Sequence, residues 1–303
     1  MAISPVSLAS SPRLDLSALP APDIIPRLDY EGRRTAKLDK LVELKPDFTG
    51  TQPSDPAVKL IEADSYHEGV VAEEMGYAAR GLMLAYAVGA QLDHLAARWD
   101  MPRLEITPAN PGTGAAAMME SDDDFRRRIQ LAPYALSTAG AEGSYVLHAL
   151  GAHADVRDAS AISPAPAEVE VAILSRTGTG IPAGSVLTAV EAALSAADVR
   201  PLGDRLTVRA AEILNVPIEA NLTLFAGPDS ALIMQTAQES LAAWLAAHGL
   251  LGNDVPRSAL IAALHVGGVQ KVELISPAAD VEVAPHQAAR ASIITLNNIG
   301  SVV

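Results

Sequence analysis

Cysteine is missing from this 303-residue chain, which excludes disulfide bonds, thiolate nucleophiles and cysteine-ligated zinc together. Its absence leaves the redox compartment open. Aromatic residues make up only 4% of a chain that is 49% hydrophobic, so any core is built from Ala, Leu, Val and Ile. Such residues suit closely packed helices and small strands. Basic residues are also few, 22 Lys and Arg against 36 Asp and Glu, for a net charge of −14. Nucleic-acid binding draws most of its affinity from a basic face, so this balance argues against a nucleic-acid partner. It leaves docking onto a basic protein open. The longest apolar run, Gly81 to Leu92, falls far short of the roughly 20 residues that cross a bilayer. Near the N-terminus, Arg13 and Asp15 interrupt the only mildly apolar stretch. The expectation is a soluble protein with no membrane contact, made and used in a cytoplasm or in a particle assembled there.

Signatures of catalysis are lacking as well. The chain has no Gly-x-Ser-x-Gly elbow, no His-Glu-x-x-His and no phosphate loop ending in Gly-Lys-Ser/Thr. Asp64, His67 and Glu68 share a predicted helix, but no second ligand cluster follows, so a solvated helix face is expected. Asp123 and Asp124 are explained as acids at a helix N-terminus. One loop keeps an alternative open. Gly178-Thr179-Gly180-Ile181-Pro182-Ala183-Gly184 lies between a predicted strand and a predicted helix, where a dinucleotide fingerprint would sit. Its spacing is one residue too long and Pro182 stiffens the turn, so a plain connecting loop is the preferred reading. The alternative is a soluble nucleotide-binding protein or enzyme using Gly178–Gly184. The preferred reading has no cofactor, no metal and no enzymatic activity.

What is present points to an α+β chain. Residues 1–52 carry six prolines and no steady apolar period, which predicts an extended arm with at most a short helix near Arg33–Leu44. Residues 53–104 are expected to form a helical bundle segment, opened by Asp55 as N-cap and Pro56 at the first helical position. There Val71, Met75, Ala78, Leu82, Ala85, Gly89, Leu92, Ala96 and Trp99 recur at spacings of four and three, a heptad seam. Gly76, Gly81 and Gly89 within it need a packing reason or mark a break. Val71, Met75, Leu82, Leu92 and Trp99 are the residues expected to carry helix–helix contact, within the chain or between chains. Residues 105–119 read as a Pro/Gly-rich linker.

Two small modules follow, at 120–210 and 211–303, each read as a few antiparallel strands with helices on one face, in a split β-α-β-like arrangement. Strict alternation at Val216, Ile218, Ala220, Leu222 and Leu224 marks a half-buried strand. A helix ending at His248 is expected to bury Leu232, Leu241, Trp244 and Leu245. Ser144–Pro164 and Arg257–Pro277 align without gaps and end in the same Ile-Ser-Pro, a weak internal repeat of a helix–strand–turn unit.

The hinge between helical and strand-bearing halves is Glu120-Ser121-Asp122-Asp123-Asp124-Phe125-Arg126-Arg127-Arg128-Ile129. Ser121 is placed to cap a helix, acids fill its first turn, and Phe125, Ile129 and Ala132 form one apolar edge until Pro133 stops it. Arg126, Arg127 and Arg128 are placed to pair with acids on a neighbouring chain, or with their own flanking aspartates. This stretch, followed by Gly140, Tyr145, Val156, Asp158, Pro164 and Val169-Glu170-Val171, resembles the J-type baseplate assembly proteins of contractile-tailed phages. Asp15 to Pro22 with Leu28 to Glu31 resembles that family's opening, and Ala262 to Val266 with Gly268-Val269 its closing helix and strand. The resemblance implies a structural protein of a tail baseplate wedge, located in the virion and assembled in the bacterial host cytoplasm. It implies as partners sister copies, a small lysozyme-like wedge protein, an I-type tail protein and the central hub and spike.

Overall fold

The computed structural model describes residues 16, 19–25, 29–49, 52–136, 141–197, 199–227 and 230–302. The family-like opening around Asp15 and Leu28, the Ser137–Gly140 turn and Pro228-Asp229 lie outside the described residues. Within them the fold is α+β, with eight α-helices and eight strands. The chain packs as two compact units, one holding 14–103 with 121–129 and the other 104–120 with 130–303.

The first unit is helical: α1 (Tyr30–Leu44), α2 (Pro56–Arg80), α3 (Ala90–Ala97) and most of α4 (Asp122–Leu131). Asp29 caps α1 by accepting from the Gly32 amide at 2.7 Å, so that helix starts three residues earlier than Arg33. Asp55 caps α2 through the Ala57 amide at 2.8 Å, with Pro56 beside it. The heptad seam does not run on one helix. Helix α2 ends at Arg80, turns occupy 81–89, and α3 begins after Gly89, whose φ of 52° is a conformation that favours glycine. Gly81 lies so close to the Gln91 amide that a Cβ would collide with it. Two of the three seam glycines thus mark a break. The core of the unit joins Ala87, Leu92 and Ala96 to Phe125 and Ile129 of α4, with Leu84, Leu95, Trp99 and Met101 partly buried against them.

The second unit opens with a short antiparallel pair, β1 (Glu105–Thr107) and β2 (Met118–Met119). Strands therefore appear before α4, inside the stretch expected to be a plain linker. Its turn residues are what fold it back: Asn110 bridges to Ala115, and its carboxamide oxygen accepts from the Gly112 amide at 2.9 Å. After α4 a 3-10 turn at Ala132–Leu136 carries Pro133. Then come α5 (Glu142–Ala152), β3 (Val156–Ile162), β4 (Glu168–Ser175), α6 (Gly184–Leu194) and β5 (Arg205–Ala210). The chain continues through β6 (Glu212–Phe225), α7 (Ser230–His248), α8 (Arg257–Leu264), β7 (Val269–Ser276) and β8 (Gln287–Val302).

These strands form two three-stranded sheets, ordered β3-β4-β5 and β7-β6-β8. Both are mixed, a parallel pair standing beside the antiparallel strands expected. One edge strand is antiparallel to the centre (β3 to β4, β7 to β6) and the other is parallel to it (β5 to β4, β8 to β6). A parallel neighbour needs a crossover, which α6 supplies in the first sheet. The internal repeat corresponds to α5–β3 and α8–β7, a helix feeding the antiparallel edge strand in each sheet. Val216, Ile218, Ala220, Leu222 and Leu224 all point into one core with Ala237, Leu241, Leu260 and Leu264 of the covering helices. Leu232, expected on the buried face of α7, is exposed, and Ile233 and Met234 pack against the core instead. Strand β8 runs for 16 residues because it pairs along the full length of β6.

Candidate interface surfaces

Helices α1 and α2 meet through charge rather than through a core. Lys37 reaches Asp64 at 2.8 Å and Glu68 at 2.6 Å, and Arg34 reaches Glu62 at 3.4 Å. The Arg33 Nε donates to the Ser65 carbonyl at 3.1 Å, across the space left by Gly69. Exposed ion pairs of this kind contribute little each. No residue of α1 is buried, and in the 25 residues of α2 only Val58 and Ser65 are. Helices in proteins draw most of their stability from tertiary packing of an apolar face, and α2 keeps its apolar face open. Leu60, Val71 and Met75 fall on one side of it, with Val71 57% and Met75 59% exposed. Tyr66, Val70 and Tyr77 form a second exposed stripe, and Leu82, 78% exposed, stands just past the helix end.

The five seam residues are thus split. Val71, Met75 and Leu82 face outward, whereas Leu92 is fully buried in the unit's own core and Trp99 is partly buried against it. The arginines of α4 are engaged within the unit. Arg126 donates from Nε to the Leu84 carbonyl and from Nη2 to the Ala87 carbonyl, both at 2.9 Å, and pairs with Asp123 at 2.6 Å. Arg128 is buried, points its guanidinium at the Pro102 carbonyl at 3.4 Å and lies 5.6 Å from the centre of the Phe125 ring. Together they serve carbonyls on either side of α3, at Leu84, Ala87 and Pro102, that helical ladders leave without donors. Arg127 is half-buried.

Asp122 locks the helix break to α4. Ser121 Oγ accepts from the Asp124 amide at 3.2 Å, and Asp122 accepts from the Gly89 amide at 2.9 Å and from Arg103 Nη1 at 2.8 Å. Arg103 also binds Asp93 at 3.0 Å and covers the Phe125 ring at 4.7 Å. The Gly89 amide, then Arg103, hold the Asp122 carboxyl below the ordinary 3.8. A depressed carboxylate contributes stability that is full above the unfolded-state value and is lost as pH falls through the folded-state one. The thermal midpoint of the helical unit is therefore expected to fall on acidification below about pH 4, and Asp122→Asn is expected to flatten that decline. Calorimetry across pH 2–7 on both proteins checks it.

In the second unit the Gly178–Gly184 loop connects β4 to α6, and its polar groups are turned on its surroundings. The Asp155 carboxylate accepts from Ser175 Oγ at 2.5 Å and from the Thr177 amide at 3.2 Å, and the Asp155 carbonyl takes the Arg176 amide at 2.7 Å. The Gly180 amide bonds the Thr177 carbonyl at 3.2 Å, and its carbonyl accepts from the Ser175 amide at 2.8 Å. Gly178 and Gly180 both have positive φ, and a Cβ on Gly180 would press on Leu174 and Ile213. The loop forms one wall of a 240 Å³ cleft between the two sheets' modules, with Arg157, Arg176 and Arg290 on its rim. Arg290 donates to the Gly178 carbonyl at 2.7 Å, Arg157 to that of Ala246, and Arg176 to that of Ala154 at 3.1 Å. The loop is a joint between modules, and the Gly180 amide is turned back onto the loop's own Thr177 carbonyl.

Two contacts deeper in this unit went unmarked in the sequence reading. Asp158, fully buried, accepts from the Leu251 amide at 2.9 Å and so ties β3 to the loop after α7. Tyr145 of α5 donates its hydroxyl to Asp204 at 2.7 Å, and burial, followed by that carboxylate, pushes the phenol well up. Both residues belong to the family-like pattern, and both are structural fasteners. Among the described residues no group of His, Asp and Glu has the arrangement of a metal site, and no helix is long and apolar enough to cross a membrane.

The Baseplate J-like N-terminal domain matches residues 53–110, the central domain 137–210 and the C-terminal domain 216–297. The chain is 42% identical over 286 residues to Baseplate protein J of Escherichia phage P2, spanning 91% of this chain and 95% of that one. A chain in the cryo-EM structure of the anti-feeding prophage baseplate, 6-fold symmetrised, is 15% identical with a TM-score of 0.39, aligned over 60% of this chain and 43% of that one. The chain belongs to the Baseplate J-like family, structural proteins of the phage tail baseplate.

Proposed function

We propose that this protein is a wedge component of the baseplate of a contractile tail, and that the open face of α2 is where its partners dock. One observation carries the reading: a 25-residue helix with two buried residues, whose apolar stripes face solvent in the isolated chain. Family membership supplies the setting. In this reading the chain assembles with sister copies and a small lysozyme-like wedge protein, contacts an I-type tail protein, and helps form a ring around the hub and spike. It works in the virion, having been assembled in the host cytoplasm. The division of labour follows 1–52 as an arm, 53–104 as the docking segment, 105–119 as a connector, and 120–210 and 211–303 as the two modules. Arg127 joins Val71, Met75 and Leu82 as a contact residue, while Leu92, Trp99, Arg126 and Arg128 shape the unit that presents them.

Leu82→Asp and Val71→Asp test this reading. Both positions are exposed, so the isolated variants are expected to unfold within about 0.5 kcal/mol of the parent. Co-purification with tail partners, and incorporation into tails, is expected to be lost. Variants that enter tails at the normal level would show that this face is not an interface.

A further inference from the structure

We infer that the free edge of β8 is completed by β8 of a second copy of this chain, paired antiparallel about Leu296. The sheet order places β8 at an edge, hydrogen-bonded to β6 on one side. Its other side is covered only at the start, where Leu251 bridges to Ala288 and the Gly252 amide bonds the Gln287 carbonyl. From Ala291 onward no strand of the described residues lies there. Exposed sheet edges present unpaired backbone donors and acceptors, and proteins that stay monomeric blunt them with charge, proline or shortness.

The other edges of the two sheets carry such charges: Arg157 on β3, Arg205 and Arg209 on β5, Lys271 and Glu273 on β7. Strand β8 has 16 residues, and none from Ala291 to Val302 is charged or proline. It exposes Ile293 at 66% and Ile299 at 54% instead. Register irregularities bracket an uninterrupted run, Ile294–Asn298, that is free to pair.

The occupant follows from the residue order. In a chain of net charge −14, an uncharged strand is where two copies approach with least repulsion. A two-fold contact must be self-complementary. A two-fold axis at Leu296 sets Ile293 against the copy's Ile299, Ile294 against Asn298, Thr295 against Asn297 and Leu296 against itself, so that an uncharged aliphatic or amide side chain meets another at every pair. Cross-strand aliphatic pairs and a completed ladder are what stabilise such an addition. The inference gives sister copies a meeting surface separate from α2, and it stands without the α2 reading.

The cysteine-free chain makes the test direct. Thr295→Cys, on the exposed face of β8, places one thiol diagonally across from its copy's thiol, while Leu232→Cys places one on an exposed site of α7. With a short bis-maleimide, Thr295→Cys is expected to give covalent dimer at least tenfold faster than Leu232→Cys. Adding Leu82→Asp is expected to leave that rate unchanged, whereas adding Ile293→Lys with Ile299→Lys is expected to remove the advantage at unaltered circular dichroism. Equal crosslinking rates for the two thiols would overturn the inference. So would crosslinking of Thr295→Cys that appears only when a different tail protein is added, which would assign the edge to that protein.

Discussion

Replacing Phe125 with alanine is expected to destabilise the helical unit by about 3–5 kcal/mol, the range for emptying a buried phenylalanine site. Phe125 is fully buried and is the largest side chain in a core otherwise made of Ala87, Leu92, Ala96 and Ile129. It also carries Arg103 at 4.7 Å from its ring centre and Arg128 at 5.6 Å. Loss of the ring therefore removes apolar filling and the surface against which two guanidiniums are set. Phe125→Leu, which keeps most of the volume, is expected to lose less than half as much. Chemical denaturation followed by hydrogen exchange on α3 and α4 reads the effect where it occurs. A Phe125→Ala protein with an unchanged midpoint would mean that α4 does not organise this unit.

Asp158→Ala is expected to weaken the joint between the two sheet-bearing modules. The carboxylate accepts from the amides of Ala159 and Leu251, each at 2.9 Å, and Leu251 is fully buried beside Leu174 and Ala211. Truncation strands buried donors, at a cost on the order of 1–3 kcal/mol for each one left unpaired. Asp158→Asn keeps an acceptor oxygen and is expected to recover about half of the loss. Protection of the Leu251 amide against exchange is the specific readout, since a general loosening of β3 would not single it out. Unchanged protection in Asp158→Ala would show that the bond does not hold the joint.

Local signals in the sequence read well because they depend on near neighbours. The Asp55 cap, Ser121, the Pro133 stop and the alternation along β6 all act within a few residues. The misreadings came from contacts made at long range. The helix between β4 and β5 supplies the crossover that a parallel pair requires, but that β5 lands directly beside β4 depends on where α6 packs. Leu232 was assigned to the buried face of α7 from periodicity, but that helix begins at Ser230 and turns Ile233 and Met234 inward instead. The heptad seam was a true apolar pattern with two different fates. Gly89 breaks the helix, so Leu92 is folded against Phe125 while Val71 and Met75 are left outside. Family resemblance drew attention to Asp158 and Tyr145, but their roles became visible only with their partners, Leu251 and Asp204, 93 and 59 residues away.

Hydrogen exchange of α2, residues 56–80, compared between the isolated protein and the assembled tail, measures most directly whether this helix is a docking element. Helices with few buried contacts open at low free-energy cost, so fast exchange along Val70–Arg80 is expected in the isolated chain. In the assembled particle the same amides are expected to slow by about a hundredfold or more, which corresponds to roughly 2.7 kcal/mol of added stability. Equal exchange in both states, with α2 still accessible in a finished baseplate, would contradict a docking role for this face.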